Sequence, residues 1–142
     1  MNNEAGADSI PVQLMRGCLV ASIQVDLTEQ VLKRFRQELL ERIGSARVHG
    51  VVLDVSGVDV MDSADFETLK TTMSMASVMG ASPVIVGLKP GIVSALVDLD
   101  VDTRGVRAAL NLDDALEWLG AAESSTATAD PAVIRDTHAR HP

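Results

Sequence analysis

The chain has 142 residues, of which 46% are hydrophobic and 23% are charged, enough to bury the core of one domain but not of two. Its formal net charge of −8 opposes contact with nucleic-acid backbones and with anionic lipid headgroups. Aromatic residues make up only 2%, so the stacking surfaces of single-stranded nucleic-acid binders are missing. The composition therefore predicts that neither nucleic acid nor a membrane is a partner.

The cysteine content and the first residues bear on the cellular compartment. A single cysteine cannot form an internal disulfide, and residues 1–9 lack the charged and apolar regions of a signal peptide. These residues are small and polar without any period, which predicts a flexible leader. We therefore expect a cytoplasmic protein whose domain begins near residue 10.

The first half of the chain predicts a β-hairpin, a helix and a buried strand. Residues 11–15 and 18–25 are rich in Val, Leu and Ile and are short enough to pair as a hairpin. Thr28 can cap a helix whose apolar residues recur at helical spacing, and Gly44 is expected to end it. Residues 51–55 are almost continuously apolar, which is typical of a central strand buried on both faces of a sheet.

The second half alternates helices with strands. The expected order is helix, strand, helix, strand and helix, over residues 66–79, 84–88, 90–99, 106–108 and 112–119. Gly80 is the predicted stop of the first of these helices, and Pro90 suits the first turn of the second. This alternation predicts an α/β fold. Beyond residue 120 the periodicity disappears, so residues 121–142 are predicted to be a disordered tail.

Motifs of enzymes are absent from the sequence. It contains neither a glycine-rich phosphate loop nor the Gly-x-Ser-x-Gly turn of a serine nucleophile. His49 is predicted to be a solvated residue at a helix-to-strand turn, and Cys18 a small core residue. The i, i+3 spacing of His138 and His141 could seat a metal, but no third ligand is near them in sequence. We therefore expect no enzymatic activity, no metal and no cofactor.

A cluster of polar residues follows the central strand. Residues 54–65, which we call the acidic loop, contain four aspartates and two serines between that strand and the next helix. Loops at the carboxyl ends of parallel strands are where open α/β sheets bind ligands. Asp62 is expected to cap the helix, with Asp65 three residues later completing a capping box. Ser63 then occupies the first helical position with its hydroxyl free.

A free seryl hydroxyl at a helix N-terminus suits a phosphate acceptor, because the added dianion meets unpaired N–H groups and the positive end of the helix dipole. Four nearby carboxylates would repel that dianion, those of Asp59, Asp62, Asp65 and Glu67. Modification is therefore expected to change which partner docks more than it changes the fold. A divalent cation held by the aspartates is the weaker alternative, since their spacing matches no calcium-loop pattern.

Four segments of the chain resemble a STAS domain, and the likeness spans roughly residues 10–120. They are residues 51–54 (Val-Val-Leu-Asp), 61–63 (Met-Asp-Ser), 75–81 (Met-Ala-Ser-Val-Met-Gly-Ala) and 84–90 (Val-Ile-Val-Gly-Leu-Lys-Pro). Within that family the sequence is most similar to the RsbS group of small, single-domain stressosome subunits. The resemblance implies a mixed sheet of four or five strands that starts with a β-hairpin and is backed by about four helices.

The resemblance also implies a non-enzymatic scaffold that regulates a stress-response pathway. Ser63 matches the serine that an RsbT-like switch kinase phosphorylates, and a phosphatase would reset it. Phosphorylation would release the kinase from a large self-associated assembly that includes an RsbR-like, sensor-bearing STAS co-scaffold. The residues around that serine, namely Asp59, Asp62, Ala64 and Asp65, are the expected partner-binding residues.

Two other functions stay open at this point. One is an anti-anti-sigma factor that binds an anti-sigma factor kinase directly, although residues 65–67 (Asp-Phe-Glu) replace the Gly-Leu-Gly of such proteins. Asp65 and Glu67 also depart from the small or apolar residues that the RsbS group carries after its serine. The other alternative is a metal-assisted hydrolase that uses Asp54, Asp59 and Asp62.

Overall fold

A mixed sheet forms the centre of the fold in a computed structural model that describes residues 9–128. Its five strands lie side by side in chain order, β1 (Val12–Met15), β2 (Cys18–Ser22), β3 (Gly50–Asp54), β4 (Ser82–Val86) and β5 (Ala108–Ala109). β1 pairs antiparallel with β2, and the remaining pairs are parallel. The helices within the described residues are α1 (Glu29–Ala46), α2 (Ser63–Val78), α3 (Pro90–Asp98) and α4 (Leu112–Thr128). The predicted α/β architecture is confirmed.

The β1–β2 hairpin depends on a two-residue turn. Arg16 and Gly17 both have positive φ, 52° and 75°, as the tight turns that match the twist of paired strands require. A Cβ on Gly17 would lie 2.8 Å from the His49 ring, and the Gly17 carbonyl accepts a hydrogen bond from the His49 N–H at 3.0 Å. The predicted hairpin therefore forms, and its turn packs against the residue that precedes β3.

Helix α1 begins where it was predicted but ends later. The Thr28 hydroxyl accepts a hydrogen bond from the Val31 N–H at 3.1 Å, which confirms the predicted cap. The prediction that Gly44 ends the helix is wrong, because α1 continues to Ala46 and stops at Arg47, whose φ is +53°. One glycine costs a helix only about 1 kcal/mol relative to alanine. Packing of Ile43 and Ala46 against the core offsets that cost.

Strand β4 starts two residues before the predicted boundary and contains Pro83. The N–H of Ser82 donates to the carbonyl of His49, on the β3 side, whereas the N–H of Ile85 donates to Arg107, on the β5 side. By this alternation the nitrogen of Pro83 points toward β5, which pairs with β4 only at Ile85 and Val86. Proline costs no ladder hydrogen bond there, as at a sheet edge.

The sheet is buried on both faces. Helices α1, α2 and α3 pack on one face over alternate residues that include Val51 and Leu53, and α4 packs on the other face over Val52. These three β3 residues are fully buried, which confirms the predicted central strand. Cys18, only 1% exposed, lies under α4, which confirms that it is a core residue.

The two ends of the chain are described only in part. Helix α4 continues through Gly120 to Thr128, eight residues into the predicted tail; the alanines of this segment favour a helix intrinsically. Residues 1–8 of the predicted leader, residues 129–142 of the predicted tail, and therefore His138 and His141, lie outside the described residues. In the part of the chain that is described, each helix is too short or too polar to cross a membrane.

Candidate functional site

The acidic loop connects β3 to α2 at the carboxyl ends of the parallel strands. The N–H of Val55 still donates to Val86 in β4 at 2.9 Å, and the carboxylate of Asp54 then accepts a hydrogen bond from the Ser56 N–H at 3.0 Å. Val58 and Met61 are buried in the core, whereas Asp59 and Val60 between them are exposed. Two apolar anchors thus hold the loop down while its acidic tip faces solvent.

Close backbone contacts join this loop to its neighbours. A Cβ on Gly57 would lie 3.2 Å from the carbonyl oxygen of Ile23, in the loop after β2. A Cβ on Gly87, in the loop after β4, would lie 2.8 Å from the Ser56 nitrogen, and Gly87 has a φ of +82°. The loops after β2, β3 and β4 therefore touch at positions where only glycine fits without displacement.

A capping box starts helix α2. The Asp62 carboxylate accepts a hydrogen bond from the Asp65 N–H at 2.7 Å, and the Asp65 carboxylate accepts one from the Asp62 N–H at 3.2 Å. This confirms the predicted cap and places Ser63 at the first helical position. Ser63 is half-buried, and its hydroxyl has no hydrogen-bond partner among residues 9–128. The cap thus uses the flanking carboxylates and leaves the serine hydroxyl available.

The residues predicted to surround Ser63 are accessible to differing degrees. Asp59, Asp62 and Ala64 are exposed, and Asp65 is half-buried. Burial raises the pKa of Asp65, more than the hydrogen bond from the Asp62 N–H lowers it. All four residues lie with Ser63 between β3 and α2, at the edge of the sheet formed by the loops after β2, β3 and β4, which we call the rim. Asp65, the least exposed of the three carboxylates, belongs to the capping box.

An ion pair links the acidic loop to the next loop of the rim. The ammonium group of Lys89 contacts the Asp59 carboxylate, and this hydrogen bond, together with the positive charge, lowers the pKa of Asp59. The pair therefore stabilises the fold above the ordinary pKa of aspartate, and that contribution disappears as the pH falls through the lowered value. Both partners are accessible to solvent, so screening keeps the contribution small.

The metal-hydrolase alternative needs three aspartates to converge, and they do not. The carboxylate of Asp54 accepts the Ser56 amide hydrogen, that of Asp59 pairs with Lys89, and that of Asp62 caps α2. Within residues 9–128 no three His, Cys, Asp or Glu side chains come together in an arrangement able to hold a metal ion. The arrangement therefore does not support that alternative.

His49 differs from its prediction. It is half-buried rather than solvated, and its Nε2 atom lies 3.5 Å from the Sγ atom of Cys18. The hairpin turn brings these two residues together, because the His49 N–H bonds to Gly17 next to the cysteine. The predicted solvated position is wrong because the contact joins residues 31 positions apart, which a local sequence pattern does not indicate.

Sequence reasoning also missed how Gly87 and Lys89 contribute to the site. Both lie in residues 84–90, one of the four segments that resemble a STAS domain. Gly87 makes room for the backbone of Ser56, and Lys89 pairs with Asp59. The sequence shows a glycine and a cationic residue at these positions, but their partners Ser56 and Asp59 lie about thirty residues away along the chain.

We expect Asp62→Ala to lower the free energy of unfolding by about 1 kcal/mol, the usual loss for a helix N-cap. The substitution leaves the Asp65 N–H without its carboxylate partner. Urea unfolding followed by circular dichroism measures the change. Asp59→Ala is the matched control, since it removes the same charge from the same loop and loses only the exposed ion pair with Lys89, whose contribution is small. Equal unfolding midpoints for the two variants would show that the capping box does not stabilise α2.

Comparison with known proteins places this geometry in a family. The family model of the STAS domain matches residues 9–115. Among solved structures, a serine-to-glutamate variant of RsbS from Moorella thermoacetica is 29% identical with a TM-score of 0.70, and the match covers 81% of this chain and 97% of that one. A chain of the stressosome, described as a signal integration and transduction hub, is 31% identical with a TM-score of 0.67, covering 77% and 95%.

A more distant structure shows the breadth of the fold. An anti-sigma-factor antagonist (STAS) domain protein from Planctomyces limnophilus has a TM-score of 0.61 at 20% identity, and the match covers 78% of this chain and 97% of that one. Comparison with curated proteins finds no match. The family match covers most of the chain, and the mixed five-stranded sheet that starts with an antiparallel hairpin agrees with it. This chain belongs to the STAS domain family.

Proposed function

We propose that this protein is a non-enzymatic scaffold of a stressosome-like assembly, which holds a serine/threonine switch kinase and releases it when Ser63 is phosphorylated. One observation carries the proposal. Ser63 is a half-buried residue at the first position of α2, its hydroxyl is bound by no described residue, and the neighbouring residues Asp62 and Ala64 are exposed. The likeness to an RsbS variant and to a stressosome chain supports the same conclusion.

The geometry supports a transfer of phosphate to Ser63 without refolding. The kinase would move the terminal phosphoryl group of ATP to the Ser63 oxygen, with loss of the hydroxyl proton and release of ADP. The N-terminus of α2 favours the resulting dianion, while the carboxylates of Asp62 and Asp65 oppose it. Because the cap already satisfies the helix start, phosphorylation changes the charge of the rim more than the backbone.

The surface beside Ser63 supports the release of a bound kinase by a dianion. Val60 is 79% exposed next to the acidic residues, and Ala64 is exposed as well. A partner that covers this rim would bury apolar side chains together with the serine. Introducing a phosphate into such a contact disrupts it, because the dianion must lose its hydration and faces nearby carboxylates.

The remaining partners follow from the same proposal. An RsbR-like STAS protein with a sensor domain would co-assemble with this chain in a large cytoplasmic particle, and a phosphatase would reset Ser63. Direct binding of an anti-sigma factor kinase by a small, unassembled chain is the competing outcome.

Kinase retention and particle size test the proposal together. The chain, the matching kinase and a sensor-bearing partner are mixed and separated by size-exclusion chromatography with light scattering. We expect megadalton particles that retain the kinase without ATP and lose it after ATP is added. Particles that keep the kinase after Ser63 is fully phosphorylated would contradict the release mechanism. A mixture that stays small but still binds the kinase would favour the anti-anti-sigma alternative.

A further inference from the structure

A second site lies on the flank of the molecule, far along α2 from the acidic loop. A cleft of about 390 Å³ opens between the second half of α2, the segment before β5, and α4. Its lining includes cationic and hydroxyl side chains and the single tryptophan, from Lys70, Ser74, Ser77, Arg104, Arg107 and Trp118. We call it the basic cleft.

The charge of this cleft is opposite to that of the chain. Lys70, Arg104 and Arg107 line it, and no acidic side chain does. Asp102 at its edge offsets one of these charges, since it binds both Lys70 and Arg104. The lining cations and Asp102 together leave an excess of two positive charges, although the whole chain carries −8. Asp114 lines a neighbouring pocket with Arg107 and Trp118. Such a local field attracts anions that the rest of the surface repels.

Each cationic side chain of the cleft has a contact within the protein. Asp102 accepts hydrogen bonds from the Arg104 Nε and Nη2 atoms at 3.0 and 3.3 Å, and the Lys70 ammonium donates to the Asp102 carbonyl at 2.8 Å. The guanidinium of Arg107 lies 4.1 Å from the ring centre of Trp118, a cation–π contact. Arg107 forms no ion pair with a described residue, so its N–H groups can bind a ligand.

We propose that the basic cleft binds a phosphate-type oxyanion, either free phosphate or the phosphomonoester group of a small molecule. Arginine forks match the geometry of phosphate oxygens and bind them by charge-assisted hydrogen bonds. The hydroxyls of Ser74 and Ser77 line the same cleft and can donate to further oxygens. The site is separate from Ser63, since α2 runs from Ser63 at the carboxyl ends of the strands to Val78 just before β4 begins.

Trp118, the single tryptophan of the chain, lines the cleft beneath Arg107. Its fluorescence can therefore report binding in the cleft. Inorganic phosphate is titrated into the full-length protein at constant ionic strength, with sodium chloride as the balancing salt. We expect a saturable change in tryptophan fluorescence. Calorimetry of the same titration supplies the dissociation constant independently of the fluorophore.

Variants then locate the bound ion. Arg107→Gln and Arg104→Gln are each expected to weaken phosphate binding roughly tenfold, the loss that one charge-assisted hydrogen bond represents. Lys33→Gln is the control, since it removes one positive charge from the exposed face of α1 outside the cleft, and it should leave affinity unchanged. Equal weakening by all three variants would overturn the site, as would the absence of saturable binding below about 10 mM.

A second titration identifies the source of the oxyanion. Glycerol phosphate is compared with inorganic phosphate under the same conditions. Tighter binding of the ester assigns the cleft to a phosphorylated small molecule, and tighter binding of inorganic phosphate assigns it to the free ion. Because the test uses neither the kinase nor Ser63, its failure leaves the proposed scaffold function untouched.

Discussion

Ser63→Ala is expected to abolish phosphorylation of this chain by its matching kinase. With ATP and the kinase, the wild-type protein should gain one phosphate, and the alanine variant should gain none, because it lacks the hydroxyl oxygen that accepts the phosphoryl group. Intact-protein mass spectrometry counts the phosphates added. The stability of the variant should match that of the wild type, since the Ser63 side chain makes no hydrogen bond with a described residue and the cap belongs to Asp62.

Ser56→Ala is the control for this experiment, since Ser56 is an exposed serine of the same loop and should not affect phosphorylation. Ser63→Asp should reproduce only part of the effect on kinase binding, because a carboxylate lacks the second charge and the third oxygen of phosphate. Phosphorylation of Ser63→Ala at the wild-type level, or a wild-type chain that gains no phosphate, would refute the assignment of Ser63.

Gly87→Ala is expected to cause the largest loss of stability at the rim, roughly 2–4 kcal/mol from overpacking combined with the unfavourable left-handed backbone. Its new Cβ would lie 2.8 Å from the Ser56 nitrogen and from the Ser56 Cβ, and φ at this position is +82°. Neither contact can be relieved by turning a flexible side chain, so the loops after β3 and β4 must separate. Chemical denaturation measures the change in the free energy of unfolding.

Gly91→Ala gives the matched comparison, four residues further along the chain. Its Cβ would meet nothing within 4 Å, and Gly91 lies in α3, where alanine is intrinsically preferred. This variant should be neutral or slightly more stable. If the two glycine variants unfold at the same denaturant concentration, the contact between Gly87 and Ser56 does not constrain the rim. Reduced phosphorylation of Ser63 in the Gly87→Ala variant would show that the packing of Gly87 against Ser56 also affects the phosphorylation site.

Several features of this protein could be read from short stretches of sequence. The Thr28 cap, the Asp62–Asp65 capping box and the place of Ser63 at the start of α2 each involve residues within four positions of one another. The hairpin and the buried strand β3 likewise follow from local composition and turn residues. Such features are predictable because their partners lie within one helical turn or one tight turn.

Errors arose where packing outweighed a local preference. Gly44 is a plausible helix stop, but the burial of Ile43 in the core keeps α1 helical through it. Pro83 is a poor strand residue, yet it fits β4 because its nitrogen faces a position that β5 does not reach. Both outcomes depend on neighbouring elements that local propensity does not include.

The α/β order, the central strand and the serine at the start of a helix in an acidic loop follow from local sequence patterns. The packing of Gly87 against Ser56, the pairing of Lys89 with Asp59 and the hydrogen bond from Lys70 to Asp102 became evident only from the fold. The difference lies in the separation of the partners along the chain. Contacts between residues thirty or more positions apart arise from how the strands pair and the helices pack, and no local pattern of residues records them.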